Sequence, residues 1–429
     1  MPVSQDALQS SEVDSASGST SKRRWVVLTL LFLITVINFI DRQTLSVLAP
    51  VIRSTFHLTN EHYGRIVAAL QFGMMSGEFP MGWLMDRWGS RIGLGLAVLW
   101  WSSATGSQIF ARSGVQLGLT RFWMGTGECG NYSGGLKTVT RLFSKKDRTL
   151  AIGIFNSGSM VGATVAPPLI VYLLQHYGFR TAFLVPALLG FFWVPLWWMA
   201  YGREPRVVEA NAPPNVSTGA LLRKPSTWAV MLCRFFIGPV MQFYWYWIPS
   251  YLFSVRHMTL TQIGLLGWIP FFLGDAGGVV GGWVAGLLHG RGMSTRNVRR
   301  VTMYASSAVC LTSLLVPFMT TAKAALLMIG IAIMADNFLS ANMFAAVSDL
   351  FPDRQVGRAT GLMGVASGLS GLLFPLLTGT LVDHSSYTPV FLLVGFMPLI
   401  GTTSLFLFGR DYRLKKSLNS ARSPKTEEE

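Results

Sequence analysis

The chain has 429 residues, of which 51% are hydrophobic and only 13% charged, with a formal net charge of +15 and a mean hydropathy of +0.43. A soluble domain carries about 25% charged residues, so this composition excludes an ordinary soluble enzyme and points to a chain embedded in a bilayer. The three cysteines (Cys129, Cys233 and Cys310) are odd in number, lie in apolar segments and form no C-x-x-C, which excludes a disulfide framework or a zinc site of that type.

Residues 1–21 are Ser-rich and lack an apolar core, so they read as a disordered cytoplasmic tail and not as a cleavable signal. Beyond them, apolar runs of the ~20 residues that cross a bilayer recur. In chain order they are expected at 25–48, 62–85, 92–111, 115–138, 149–175, 181–201, 227–253, 261–288, 299–318, 322–347, 357–382 and 388–409. Such spans must be helical, because hydrocarbon offers no partner to a free backbone N–H or C=O.

Alternate connections are basic. One set holds Lys22, Arg23 and Arg24, then Arg87 and Arg91, then Arg141, Lys145, Lys146 and Arg148, and continues to Arg354, Arg358 and the C-terminal cluster. The other set holds little beyond Arg53, Arg112, Arg180, Arg256 and Lys323. Lys and Arg accumulate on the cytoplasmic side, so both termini are expected there, in a cell (inner) membrane. The positive charge is a topology signal spread over short loops, and no nucleic-acid partner is expected.

An internal repeat divides the chain. "LFSKKDRTLAIG" at Leu142 is echoed by "LFPDRQVGRATG" at Leu350, and Gly82-Trp83 by Gly282-Trp283. The expected organisation is a tail at 1–21, a six-helix bundle at 22–201, a polar linker at 202–225, a second six-helix bundle at 226–412 and a tail at 413–429. The fold class is therefore all-α and polytopic, with twelve transmembrane helices in two bundles around a central cavity. Secondary transporters built this way place their cargo near the bilayer midplane between the repeats.

The fourth span contains "TRFWMGTGECGNYSGG", with a literal G-x-G-x-x-G at Gly125, Gly127 and Gly130. A dinucleotide turn needs a strand before it and a soluble βαβ setting. Here the strand would hold Arg121 and the following helix Lys137, so the glycines read as close-packing positions between helices. Lys137 itself reads as a snorkelling residue near the cytoplasmic end of its span. Arg121 and Glu128 stand seven apart, on one helix face and about 10.5 Å apart along it. The first span adds Asp41 and Arg42 in "NFIDRQT". A charge at mid-bilayer costs about 2.5–3.5 kcal/mol on insertion scales, so these four groups should pair across helices or line a wet cavity.

Several motifs resemble a known family. "GWLMDRWGSR" (Gly82, Asp86, Arg87, Gly89, Arg91) is similar to the loop motif between the second and third helices of the major facilitator superfamily. "INFIDRQTLSVLAP", "RFWMGTGE" and "LAIGIFNSGSMVGATVAPPL" resemble its anion:cation symporter group. "RFFIGPVMQFYWYWIPSYL", "PFFLGDAGGVVGGW" and "SANMFAAVSDLFP" look most like the hexuronate transporters within it. The resemblance covers about residues 25–410. It implies a major facilitator fold and import of a sugar-acid anion, such as galacturonate or glucuronate, by proton symport. Another organic anion (an aldonate, aldarate or aromatic acid), or antiport of an organic anion or drug, is the alternative.

Residue roles follow from that resemblance. Asp41 and Glu128 match the acids that bind coupling protons, and Arg42 and Arg121 the arginines of the anion site. The segment from Gly82 to Arg91 matches a cytoplasmic gate that latches the two bundles, with Asp86 among basic residues. Departures include Gly286 where an Asp is often found in the second-half loop, Arg234 in place of an amide, and Glu78 as an added acid of unassigned role. Further cavity candidates are Asn38, Gln71, Asn156, Arg234, Gln242, Tyr244, Asp275 and Asn337. For Arg234, Asp275 and Asp336 an ion pair between helices is an equal reading. For the aromatic run around Tyr244 it is an interfacial belt. No metal or cofactor is expected. The coupling ion is expected to be a proton, with sodium left open, and the protein to act as a monomer. No nucleophile or phosphate-loop motif appears and the six histidines lie near span ends, so no enzyme is expected.

Overall fold

The computed structural model describes residues 5–144, 147–202 and 218–409. All regular structure among them is helical, as a hydrocarbon environment demands. The first half runs through α1 (Gln5–Val47), α2 (Ala49–Thr55), α3 (Asn60–Ser107), α4 (Gly114–Leu142), α5 (Arg148–Tyr177) and α6 (Phe179–Ala200). The second half follows with α7 (Thr218–Leu222), α8 (Pro225–Ser254), α9 (Leu260–Leu266), α10 (Ile269–Gly290), α11 (Thr295–Cys310), α12 (Ala322–Leu350), α13 (Asp353–His384) and α14 (Thr388–Phe408). The backbone of α1 reaches back through residues expected to form a tail, and its apolar, membrane-length part is Lys22–Val47. Much of the expected linker and all of 413–429 lie outside the described residues.

Eight of these helical segments are long and apolar enough to cross a membrane, and the protein is a multi-pass membrane protein. The expected twelve spans are consistent with the helix order. Those at 62–85, 92–111, 115–138 and 227–253 fall on α3, α4 and α8, whose windows are diluted by Glu78, Arg121, Glu128 and a Tyr/Trp/Pro-rich run. Outward-facing side chains such as Phe192 and Met199 remain 69% and 80% exposed, as a lipid-facing surface requires.

Two expected spans are joined and two are interrupted, each for a local reason. The second and third share α3, which turns at Gly89 with φ 74° and ψ 169°, a conformation open essentially to glycine alone. The eighth breaks between α9 and α10, where Pro270 cannot donate to the preceding turn. The ninth tightens from α11 into 3-10 geometry over Leu311–Phe318, which contains Pro317.

The chain divides into two compact bodies. The first comprises Met1–Leu48 and Ala69–Val207, the second Ala49–Ala68 and Val208–Glu429. The division departs from the sequence-based bundles because residues 49–68 pack as part of the second body, for reasons visible in their contacts. The Asp383 carboxylate accepts hydrogen bonds from the backbone N–H groups of Asn60 and Glu61, at 3.0 and 2.7 Å, and so caps the start of α3. The Tyr63 hydroxyl donates to the Tyr246 carbonyl at 2.8 Å, and the Tyr63 ring meets Trp247 edge-on. Gly64 lies where a Cβ would collide with the Pro375 carbonyl.

In the first body the glycines of the G-x-G-x-x-G do what small residues do between membrane helices. A Cβ on Gly125 would strike the Leu70 carbonyl. One on Gly127 would lie 3.1 Å from the Trp101 nitrogen, and one on Gly130 2.8 Å from the Ala97 Cβ. The motif thus seats α4 in both limbs of α3, with no strand near it. Just before the Gly89 turn of α3, Lys137 reaches across from α4 and donates to Asp86 and to the Met85 carbonyl, both at 2.8 Å. The expectation that Lys137 simply snorkels is corrected by this pair. The Arg91 Nη2 donates to the Trp198 carbonyl at 2.8 Å, and the Trp197 and Trp198 indoles donate back to its carbonyl. Arg87 lies over the Trp83 ring, and Gly82 is in open space.

The second body has a continuous core of Val230, Cys233, Ile237, Leu339, Met343, Val347, Met363 and Leu405 from α8, α12, α13 and α14. The Arg299 guanidinium bridges Asp349 and the Asn342 amide oxygen, each at 2.9 Å, and ties α11 to α12.

Candidate functional site

The four charges singled out in the sequence come together inside the first body. Arg42 on α1 donates from Nε to the Glu128 Oε2 on α4 at 2.9 Å; the Glu128 side chain is fully buried and that of Arg42 15% exposed. Directly next to Arg42 in sequence, Asp41 is buried, and among the described residues no close hydrogen bond reaches its carboxylate oxygens. It lies within electrostatic reach of Glu128, Arg121 and Arg42, and faces the Trp101 indole. Arg121 is also wholly buried. Its Nη1 donates to the Asp41 backbone carbonyl at 3.1 Å, and its guanidinium lies over the Phe183 ring.

The two arginines therefore differ. Arg42 borders a cavity of about 540 Å³, a size within the roughly 300–1,000 Å³ range of small-molecule sites. Arg121 does not line it; it sits behind, where it holds the backbone and field of Asp41. The cavity wall is built by helical spacing. Thr35, Asn38 and Arg42 rise along one face of α1, and Glu128, Asn131 and Tyr132 along α4. Phe155, Asn156 and Ser159 come from α5, and Met74 and Glu78 from α3. The α1 and α4 faces are tied by the Asn131 amide, which donates to the Thr35 hydroxyl at 3.2 Å. The Asn38 Nδ2 has no partner among the described residues, so a donor is left over at the wall.

Of the other sequence candidates, Asn38 and Asn156 line this cavity, whereas Gln71 is buried outside its wall. In the second body Arg234 donates to the Ser367 hydroxyl at 3.2 Å, stands over Phe344 and feels the field of Asp336. The Gln242 side chain packs against Gly371, with its Oε1 unpartnered. Tyr244 is fully buried and its hydroxyl bonds to that of Ser313. Asn337 is likewise spent on helix packing, donating to the Gly274 carbonyl of α10 at 3.0 Å. Asp275 is partly buried on α10. No cluster of residues able to hold a metal ion occurs among the described residues.

Sequence reasoning missed Thr35, Met74, Asn131, Tyr132, Phe155 and Ser159 as wall residues. A helical signal was present for most of them, since they stand three, four or seven positions from Arg42, Glu128, Glu78 or Asn156.

A helical fold with a buried charge cluster invites comparison with known families. The sequence profile of the Major Facilitator Superfamily matches residues 31–335 and 292–427. The chain belongs to the Major Facilitator Superfamily. Members of this superfamily are membrane transporters and not enzymes. Among curated relatives, the hexuronate transporter of Escherichia coli (strain K12) is 27% identical over 398 residues, covering 88% of this chain and 92% of that one. The probable L-galactonate transporter of the same strain is 29% identical over 374 residues, covering 82% of each. The probable galactarate/D-glucarate transporter of Bacillus subtilis (strain 168) is 26% identical over 411 residues, covering 88% and 90%. Among solved structures, a bacterial homolog of the human lysosomal transporter Spinster, inward-facing and occupied, superposes with a TM-score of 0.71 at 19% identity. It covers 92% of this chain and 97% of that one, and supports the fold.

Proposed function

We propose that this protein is a secondary active transporter that imports a sugar-acid anion, a hexuronate such as galacturonate or glucuronate, by proton symport through alternating access. The observation that carries the reading is the Arg42–Glu128 bridge at the wall of a polar cavity, with Asp41 and Arg121 buried behind it. The names of its relatives support the cargo class: hexuronate, galactonate and galactarate/glucarate transporters.

The chemistry follows from competition. A guanidinium is always charged and grips carboxylates in a fork. A cargo carboxylate arriving in the cavity competes with Glu128 for Arg42. Released from Arg42 in a buried place, Glu128 would be an unpaired charge, which is costly; a proton removes that cost. Asp41, buried beside the Trp101 indole, is the second proton site, with Arg121 setting its surroundings. Anion binding and proton uptake then favour one another, which is the coupling that symport requires. Asn38, Asn156 and Ser159 supply amide and hydroxyl groups for sugar hydroxyls. We place both termini in the cytoplasm of a cell (inner) membrane, from the distribution of basic connections.

The test is uptake of radiolabelled galacturonate and glucuronate into proteoliposomes under an imposed pH gradient. Accumulation above equilibrium that collapses with a proton ionophore is expected. Uptake driven only by a sodium gradient would overturn the proton assignment, and failure of both uronates in correctly inserted protein would overturn the cargo.

A further inference from the structure

Glu78 is left unused by the mechanism above. It lies on α3 at the wall of the same cavity, exposed to its interior, and among the described residues it makes no hydrogen bond or ion pair. Its position is fixed by backbone packing: one residue earlier, a Cβ on Gly77 would lie 2.6 Å from the Thr126 Cα of α4 and 2.8 Å from the Cys129 sulfur. Both Glu78 and Glu128 act electrostatically on Cys129, so the two carboxylates flank one stretch of the wall.

We infer that Glu78 sets the charge of the cargo, restricting the site to anions with a single carboxylate. The inference rests on the sugar-acid symport reading and follows from the inventory of charge. Arg42, Glu128 and Glu78 are the charged residues lining the cavity, and Asp41 and Arg121 are buried behind it. When Asp41 and Glu128 each carry a coupling proton, two guanidinium charges remain, opposed by one carboxylate. The cavity then holds a single net positive charge, which one cargo carboxylate neutralises. A dicarboxylate leaves a surplus negative charge beside Glu78 in a partly desolvated space, where like charges are poorly screened. Exclusion by a repulsive group is a general route to specificity. Without the charge at Glu78, Arg42 at the wall and Arg121 behind it would leave two positive charges uncompensated, and a dianion would be the better match.

The experiment compares wild type, Glu78→Gln and Glu78→Asp in proteoliposomes, with labelled galacturonate as the monocarboxylate and galactarate as the dicarboxylate. Wild type should strongly prefer galacturonate. Glu78→Gln should shift the galactarate-to-galacturonate uptake ratio by ~tenfold or more toward galactarate, the scale of one like-charge contact across a partly wet cavity. Glu78→Asp should keep the wild-type ratio. Ligand-induced thermal stabilisation in detergent reads the same ratio without turnover, so a variant that binds but does not cycle still reports. An unchanged ratio in Glu78→Gln while wild type carries galacturonate overturns this inference alone, as does an equal shift in Glu78→Asp. A wild type that responds to neither compound overturns the sugar-acid reading and this inference with it.

Discussion

Arg42 and Arg121 stand at different depths, and their substitutions should separate accordingly. Arg42 acts at the cavity wall, so Arg42→Lys keeps the charge but loses the fork. The expected outcome is cargo binding weakened by roughly tenfold or more, the loss of about one charge-assisted hydrogen bond, with normal expression; an equilibrium binding titration reads it. For the acids, Asp41→Asn should abolish uphill accumulation while leaving exchange of labelled for unlabelled cargo across the membrane. Glu128→Gln removes the competitor for Arg42, so cargo binding should weaken less as pH rises than it does in wild type, with the remaining dependence carried by Asp41. Binding that weakens with rising pH as steeply in Glu128→Gln as in wild type would place that proton elsewhere. The four charged residues were legible in the sequence because charge in an apolar run stands out. The neutral wall residues were not, since Thr35, Asn131 and Ser159 resemble the Ser, Thr and Asn that join membrane helices everywhere. Tyr244 and Asn337 show why: each is bonded to a neighbouring helix here, and polarity on a helix shows that a partner exists, not whether it is cargo or a neighbouring helix.

Element by element, apolar length located the helices, and their interruptions follow from single residues. Gly89 is the clearest. With φ at 74° and ψ at 169°, Gly89→Ala should cost about 1–3 kcal/mol, the usual penalty for a side chain in that region. Thermal unfolding in detergent measures it, and a variant as stable as wild type would show that the turn relaxes. At Gly125 the outcome should be harsher, because a valine there meets the Leu70 backbone and no flexible side chain; the folded yield after solubilisation should collapse. What sequence left out is pairing between elements. Lys137 meets Asp86 across 51 positions and Asp383 caps α3 across 323, separations over which no local pattern carries information. Replacing the cap, Asp383→Ala, should lower stability by about 0.5–2 kcal/mol, the range for N-cap loss, again read by thermal unfolding.

For the molecule as a whole, apolar composition and recurring spans pointed to an all-helical membrane protein, and the match to the superfamily accords with that. The repeat did not reveal that the bodies exchange a piece of chain. Residues 49–68 come from the first half of the sequence yet are counted by their packing into the second body. Symmetry at the level of sequence describes how the gene was built, whereas the packing of Tyr63, Gly64 and the capped start of α3 describes what the finished second body contains.

That exchanged segment has a consequence for biogenesis. During synthesis from the N-terminus, residues 49–68 are made long before α8 to α14 exist, and Tyr63, whose partners are Tyr246 and Trp247, and Gly64, which packs on Pro375, are left without those neighbours until the later helices arrive. The second body, for its part, is never complete from its own half of the chain. Translated alone, residues 208–429 should be rapidly degraded by membrane proteases. Supplied in trans with 1–207, the two fragments should protect one another, and pulse-chase labelling would show their half-lives rising together.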